Sequence, residues 1–308
     1  MVQADESSVR DNDRHPSIHY NKWGEKTGMD DLSEYCPPGV TWKEEMIPVS
    51  ENVSLRVITF TPAVENANPA VVFVAGWISL IAGWKKVLRE MTKDFPVYYI
   101  ETREKISAQV RGRAEYSAEA IGRDIVTLIS HFRLTDENYI LFGSSLGATA
   151  ILDCCRFLKQ RPLCLVLIGP NAEFRVPGWG MTVIRISYPL MYNIIKPFVK
   201  SYLKTFRLDV KSDYAQYEKY CNSLDAADPS KLKKAAISLS KYLVWNLLEN
   251  IAFPTLIVGA SKDKLHEPEN LKRMVSMMKR ATLLDLKTNA STHSEVVVEE
   301  IRKYIGKL

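Results

Sequence analysis

The pentapeptide Gly143-Ser144-Ser145-Leu146-Gly147 holds the residue of this 308-residue chain best placed for covalent chemistry. It joins an apolar run, NYILF, to LGATAILDCC, so the pattern predicts a strand that turns sharply into a helix. Such a turn needs small residues two before and two after the turning residue, because side chains there would collide with the turn and with the neighbouring strand. Both positions are glycine. Ser145 is therefore expected on a strained elbow, with its hydroxyl at the carboxyl edge of a sheet. It would also stand at the start of a helix, whose free N–H groups favour negative charge.

A serine hydroxyl is a weak nucleophile near neutral pH. It needs a base to take its proton and a carboxylate to orient that base. Two candidates follow in chain order, each just past a later strand: Asp263 after FPTLIVGAS, and His293 after ATLLDLK. With an unperturbed pKa of ~6.5, a histidine can both accept and return the proton. The other histidines compete poorly. His15 and His19 lie in a polar amino-terminal stretch, His131 lies on a helical run, and His266 follows the Asp263 loop. Glu173, beyond the strand PLCLVLIGP, is the alternative acid. Acyl transfer also needs two N–H donors set in place for the developing oxyanion. Leu146 supplies one. The loop Ala75-Gly76-Trp77-Ile78 supplies the other, assigned to Trp77 with Ile78 as the alternative.

The elements that must position these groups alternate between strand and helix. WKEEMIPVSENVSLRVITFTPA reads as an antiparallel hairpin turning at Glu51-Asn52, and PAVVFVAGW as a strand buried on both faces. A helix from about Leu80 to Lys93, the strand FPVYYIE and a helix from Ser117 to Phe132 lead to the elbow. The chain resumes after the cap with FPTLIVGAS, the helix PENLKRMVSMMK, the strand ATLLDLK and the helix HSEVVVEEIRKYIG. This order predicts an α/β class: a mostly parallel sheet covered by helices on both faces. Residues 39–170 and 251–308 form that core, residues 171–250 a helical cap inserted into it, and residues 1–38 a polar extension.

Composition narrows the function classes. The chain is 46% apolar, enough for a sizeable core, and its charge of +5 on 41 basic and 36 acidic residues is too dispersed to imply a nucleic-acid partner. The five cysteines show no C-x-x-C spacing and read as reduced thiols rather than metal ligands or a disulfide framework. No secretory signal pattern opens the chain, and no run of ~18 uncharged apolar residues is present. The expectation is a cytoplasmic protein with no metal; no feature assigns an oligomeric state.

With these residues assembled, the chain resembles the α/β-hydrolase superfamily, in particular its capped esterase, lipase and serine-aminopeptidase-like branches. The resemblance spans roughly Trp42 to Leu308. It implies an eight-stranded sheet with a short antiparallel start, no cofactor, and Ser145, Asp263 and His293 as nucleophile, acid and base. Two features depart from the pattern. Ala75-Gly76 stands where many members carry His-Gly, and the charged loop Glu101 to Lys105 stands where many have a glycine-rich turn. That loop reads as structural, with Arg103 or Lys105 as candidates to face an anionic substrate group.

The cap segment MTVIRISYPLMYNIIKPFVKSY mixes aliphatic and aromatic residues with Arg185, Lys196 and Lys200. It is expected to bury apolar faces over the site and to shape a cleft for an acyl chain, with Trp77, Trp179 and Tyr188 as candidate substrate contacts. A membrane-surface role is the less favoured reading, because Pro189 and Pro197 interrupt the spacing. The favoured partner is a small ester or acyl compound. The expected activity is hydrolysis of a carboxylic ester or thioester through an acyl-serine; an acyltransferase or a non-catalytic binding relative is the alternative.

Overall fold

In the computed structural model, residues 19–20, 26–28, 31–174, 178–210, 213–262 and 268–308 are described. Two short strands, β1 (His19–Tyr20) and β2 (Lys26–Gly28), pair antiparallel. The main sheet then begins with β3 (Thr41–Ser50) and β4 (Val53–Thr61), an antiparallel pair whose turn falls at Glu51-Asn52 as the alternation predicts. The strands β5 (Ala70–Val74), β6 (Val97–Ile100), β8 (Tyr139–Ser144), β9 (Cys164–Ile168), β10 (Thr255–Gly259) and β11 (Ala281–Asp285) pair parallel in the order β11-β10-β9-β8-β5-β6. β6 runs antiparallel to β4, which closes the sheet against β3. A ninth strand, β7 (Gln109–Val110), pairs with β4, one more than the eight that the resemblance implies; two residues carry too little pattern to announce a strand.

Every residue of β8 and of β10 is buried, as strands covered on both faces must be. The period of two divides the core. Val72 and Val74 of β5 join the layer under α2 (Ala118–His131) and α3 (Leu146–Cys154). Val71 and Phe73 join the opposite layer under α1 (Lys85–Met91) and α11 (Glu295–Ile305). The first helix is shorter than its pattern suggests, because residues Ile81–Trp84 form a tighter 3-10 turn before it. The helix α2 starts where Ser117 accepts a hydrogen bond from the Ala120 amide. All five cysteines are free, and burial pushes the thiols of Cys155 and Cys164 up to about 12.

Between β9 and β10 the described residues form helices, among them α4 (Gly178–Ile186), α5 (Tyr192–Tyr202), α6 (Tyr214–Ala226), α7 (Pro229–Leu239) and α8 (Trp245–Leu248), with one isolated antiparallel bridge between Glu173 and Leu243. Asp213 and Asp228 cap α6 and α7 by accepting from first-turn amides, with Pro229 at the first position of α7. After β10 come α9 (Pro268–Met277), β11, α10 (Asn289–Thr292) and α11.

The charged loop after β6 is structural. Arg56 of β4 pairs with both Glu44 and Glu101, at 2.9 and 3.3 Å. Arg103 grips Asp124 of α2 with two nitrogens and donates to the Glu115 carbonyl at 2.7 Å. Burial tends to raise the Glu101 carboxyl, but Arg56 and Lys105 beside it hold it below the usual range. Arg103 and Lys105 are buried and do not line the cavity described below, so neither faces a substrate group there.

Candidate active site

Ser145 sits between the last residue of β8 and the first of α3 with φ +50° and ψ −115°, a conformation that costs a non-glycine residue roughly 1–3 kcal/mol. Its surroundings impose that cost. A Cβ on Gly143 would lie 2.6 Å from Ile151 Cδ1 and 2.7 Å from the Ala148 nitrogen, and one on Gly147 would overlap the Val74 carbonyl oxygen. The Ser145 amide is tied to the Ile168 carbonyl of β9 at 2.8 Å. The elbow is therefore clamped between β5, β9 and α3, and its hydroxyl opens into a cavity of about 540 Å³.

The β5 loop lies directly against this elbow. A Cβ on Gly76 would stand 3.3 Å from the Ser144 carbonyl and 3.4 Å from Ser145 Cβ. The Ser79 amide bonds the Gly76 carbonyl across a tight turn in which Ile78 holds φ +48°, a strained setting for a β-branched residue. Trp77 and Ile78 both line the cavity. Leu146 opens α3, so its N–H belongs to the first turn, where no intrahelical acceptor exists.

His293 lines the same cavity. It does not begin the last helix, as its sequence pattern suggests. It follows the last residue of the short α10, and Ser294 precedes the first residue of α11. Its Nδ1 lies 3.0 Å from the Asn289 carbonyl and 3.0 Å from Thr292 Oγ1, whose hydroxyl donates to that carbonyl at 2.8 Å. A carbonyl only accepts, so Nδ1 carries the hydrogen in this contact, and in the neutral ring that leaves the lone pair on Nε2. The buried Trp84 supports the ring, with centroids 4.2 Å apart and planes 31° apart, and its indole N–H donates to Ser79 Oγ at 3.0 Å.

Asn171 was not singled out in the sequence. Its Nδ2 donates to Ser145 Oγ at 2.9 Å. The Thr149 hydroxyl, fully buried in α3, accepts from the Asn171 amide at 3.0 Å and shares its one hydrogen between the Asn171 and Ser145 carbonyls, at 3.0 and 3.1 Å. If Ser145 acts as a nucleophile, Asn171→Leu is expected to lower kcat about tenfold with little change in KM, the effect of losing one hydrogen bond that positions its hydroxyl. Steady-state kinetics on a soluble ester checks it.

Glu173 and Tyr188 line the cavity, together with the inward sides of α4 and α5 at Ile184, Ile195 and Val199. Trp179 does not line it; its side chain is 68% exposed. Asp263 lies outside the described residues. At the end of β11, Asp285 accepts from the amides of Ser261 and Lys287 at 2.9 Å each and from Lys287 Nζ at 2.7 Å. The Lys287 side chain first, with the two amides, holds the Asp285 carboxyl well below the usual range. A depressed folded pKa contributes stability that is present above the unfolded value of ~3.9 and is lost as pH falls. Asp285→Asn should therefore lower the melting temperature at pH 7, and the gap to wild type should close below pH ~4.

Comparison with models of protein families finds no match, and neither does a search of curated proteins. Solved structures do match. A thermophilic esterase from Thermogutta terrifontis superposes with a TM-score of 0.69 at 18% identity, over 87% of this chain and 98% of that one. A bromoperoxidase from Bacillus anthracis gives 0.68 at 15% identity, over 86% and 100%. An enol-lactonase from Burkholderia xenovorans gives 0.65 at 13% identity, over 83% and 95%.

Proposed function

We propose that this chain, which has the α/β-hydrolase fold, is a serine hydrolase that cleaves a carboxylic ester of apolar acyl character through an acyl-Ser145 intermediate. The observation that carries this reading is the strained Ser145 hydroxyl opening into the same apolar cavity as His293, whose Nδ1 hydrogen is held by the Asn289 carbonyl. In this mechanism His293 Nε2 takes the hydroxyl proton as Ser145 Oγ attacks the ester carbonyl. The oxyanion accepts hydrogen bonds from the Leu146 and Trp77 amides. His293 then returns the proton to the leaving alcohol, and a water activated by the same nitrogen releases the acid. Asp263 is assigned as the carboxylate that stabilises the imidazolium.

The cavity's aliphatic lining from α4 and α5 supports an apolar acyl group. The test is turnover of p-nitrophenyl esters of increasing chain length. kcat/KM should rise from acetate toward medium chains as the acyl group fills the cavity, about tenfold for every 1.4 kcal/mol gained. Folded protein that hydrolyses none of them would end the proposal.

A further inference from the structure

The outward side of the cap is built the wrong way round for water. Among the described residues, ten of the fourteen large hydrophobic side chains that are exposed lie between Trp179 and Tyr214. On α5 the polar groups are spent inward: Lys196 and Lys200 turn onto Asp225 at 2.8 and 2.7 Å, and the Tyr192 hydroxyl bonds the Leu224 carbonyl at 2.6 Å. The opposite side carries Leu190, Ile194 and Phe198, four residues apart and 90, 66 and 72% exposed. Trp179, Ile186 and Phe206 flank them at 68–71% exposure. A surface helix normally presents the reverse arrangement, with its charged residues outward.

The two prolines do not interrupt this stripe, contrary to the expectation from spacing. Pro189 opens a 3-10 turn that runs directly into α5, and Pro197 lies within α5 beside Phe198 on the same outward side. The occupant of the face follows from its charge. No Asp or Glu occurs in the sequence between Glu173 and Asp209. Of the described basic residues there, Lys196 and Lys200 are paired with Asp225 and Arg207 lines the cavity, which leaves Arg185 and Lys204 exposed beside the stripe. A second copy of the same patch would set Arg185 and Lys204 against like charges, with no acidic residue in the stripe itself to pair with them. An acidic surface with an apolar interior satisfies both halves, and aromatic residues beside basic ones suit its interface.

We propose that the outward face of α4 and α5 docks on a membrane surface rich in anionic lipid, with Leu190, Ile194 and Phe198 entering the acyl boundary and Arg185 and Lys204 at the headgroups. No helix among the described residues is long and apolar enough to cross a membrane, so the contact is interfacial. The inference does not depend on Ser145 chemistry.

The test is co-sedimentation of the full chain with vesicles of phosphatidylcholine alone or mixed with phosphatidylglycerol. Wild type and Ser145→Ala should bind the anionic vesicles equally, bind neutral ones more weakly, and release as salt is raised. The double variant Ile194→Glu with Phe198→Glu should bind at least about tenfold more weakly while keeping the wild-type circular dichroism and melting temperature. Leu190→Glu alone, at the most exposed position, repeats the test where the double change unfolds the cap. Absence of wild-type binding, or equal binding by these variants, overturns the proposal. So does wild-type self-association that the variants abolish without any vesicle binding, which would assign the face to a second copy.

Discussion

Replacing Ser145 by Ala, His293 by Ala, or both together should lower kcat by about five to six orders of magnitude in every case, with the double variant no worse than either single one. A nucleophile and its base act as a unit: without the base the hydroxyl keeps its proton, and without the hydroxyl the base has nothing to activate. The stability change should be small for Ser145→Ala, since alanine would be held in the same φ +50° backbone. Losses that multiply, or activity within about tenfold of wild type in folded single variants, would show that the two residues do not share a reaction. The check is kcat on a p-nitrophenyl ester, with melting curves recorded on the same samples.

The largest effect on stability is expected at Arg103. Its side chain is 7% exposed and that of Asp124 is 2%, and their bond joins the β6 loop to α2. Arg103→Ala should cost about 3–5 kcal/mol in urea unfolding, because it strands a carboxylate away from water. Burial already lifts the Asp124 carboxyl above its usual range, against the pull of Arg103. In the variant the native state gains further by holding a proton there, so its stability should fall as pH rises from 5 to 8. This is the opposite sign from Asp285. Replacing the pair together, Arg103→Met with Asp124→Leu, should recover most of the loss.

The sequence made Ser145 and His293 legible for different reasons. Ser145 stands out because the elbow needs two glycines at fixed offsets, and the collisions at Gly143 and Gly147 are local to the pentapeptide and β5. His293 stands out only by order along the chain, and that order misjudges its setting at the end of α10. Asn171 and Trp84 were silent. Each meets its partner through the packing of β9 or α1 against the sheet, and no spacing within their own segments records that approach. The Glu101 to Lys105 loop reads as structural from its sequence, but its partners do not show there, because Arg56 and Asp124 come from β4 and α2. The orientation of α5 was hidden for a related reason. Helical periodicity shows that α5 has two faces, but not which one turns inward, and here Lys196 and Lys200 do.

The central claim is that Ser145 is a nucleophile activated by its setting. The most direct measurement is labelling of the folded chain with a fluorophosphonate, followed by mass spectrometry of the peptide that carries Ser145. The expected result is one adduct on Ser145, absent from Ser145→Ala and strongly slowed in His293→Ala. Folded wild-type protein that takes no label, or that takes it equally in Ser145→Ala, would contradict the claim.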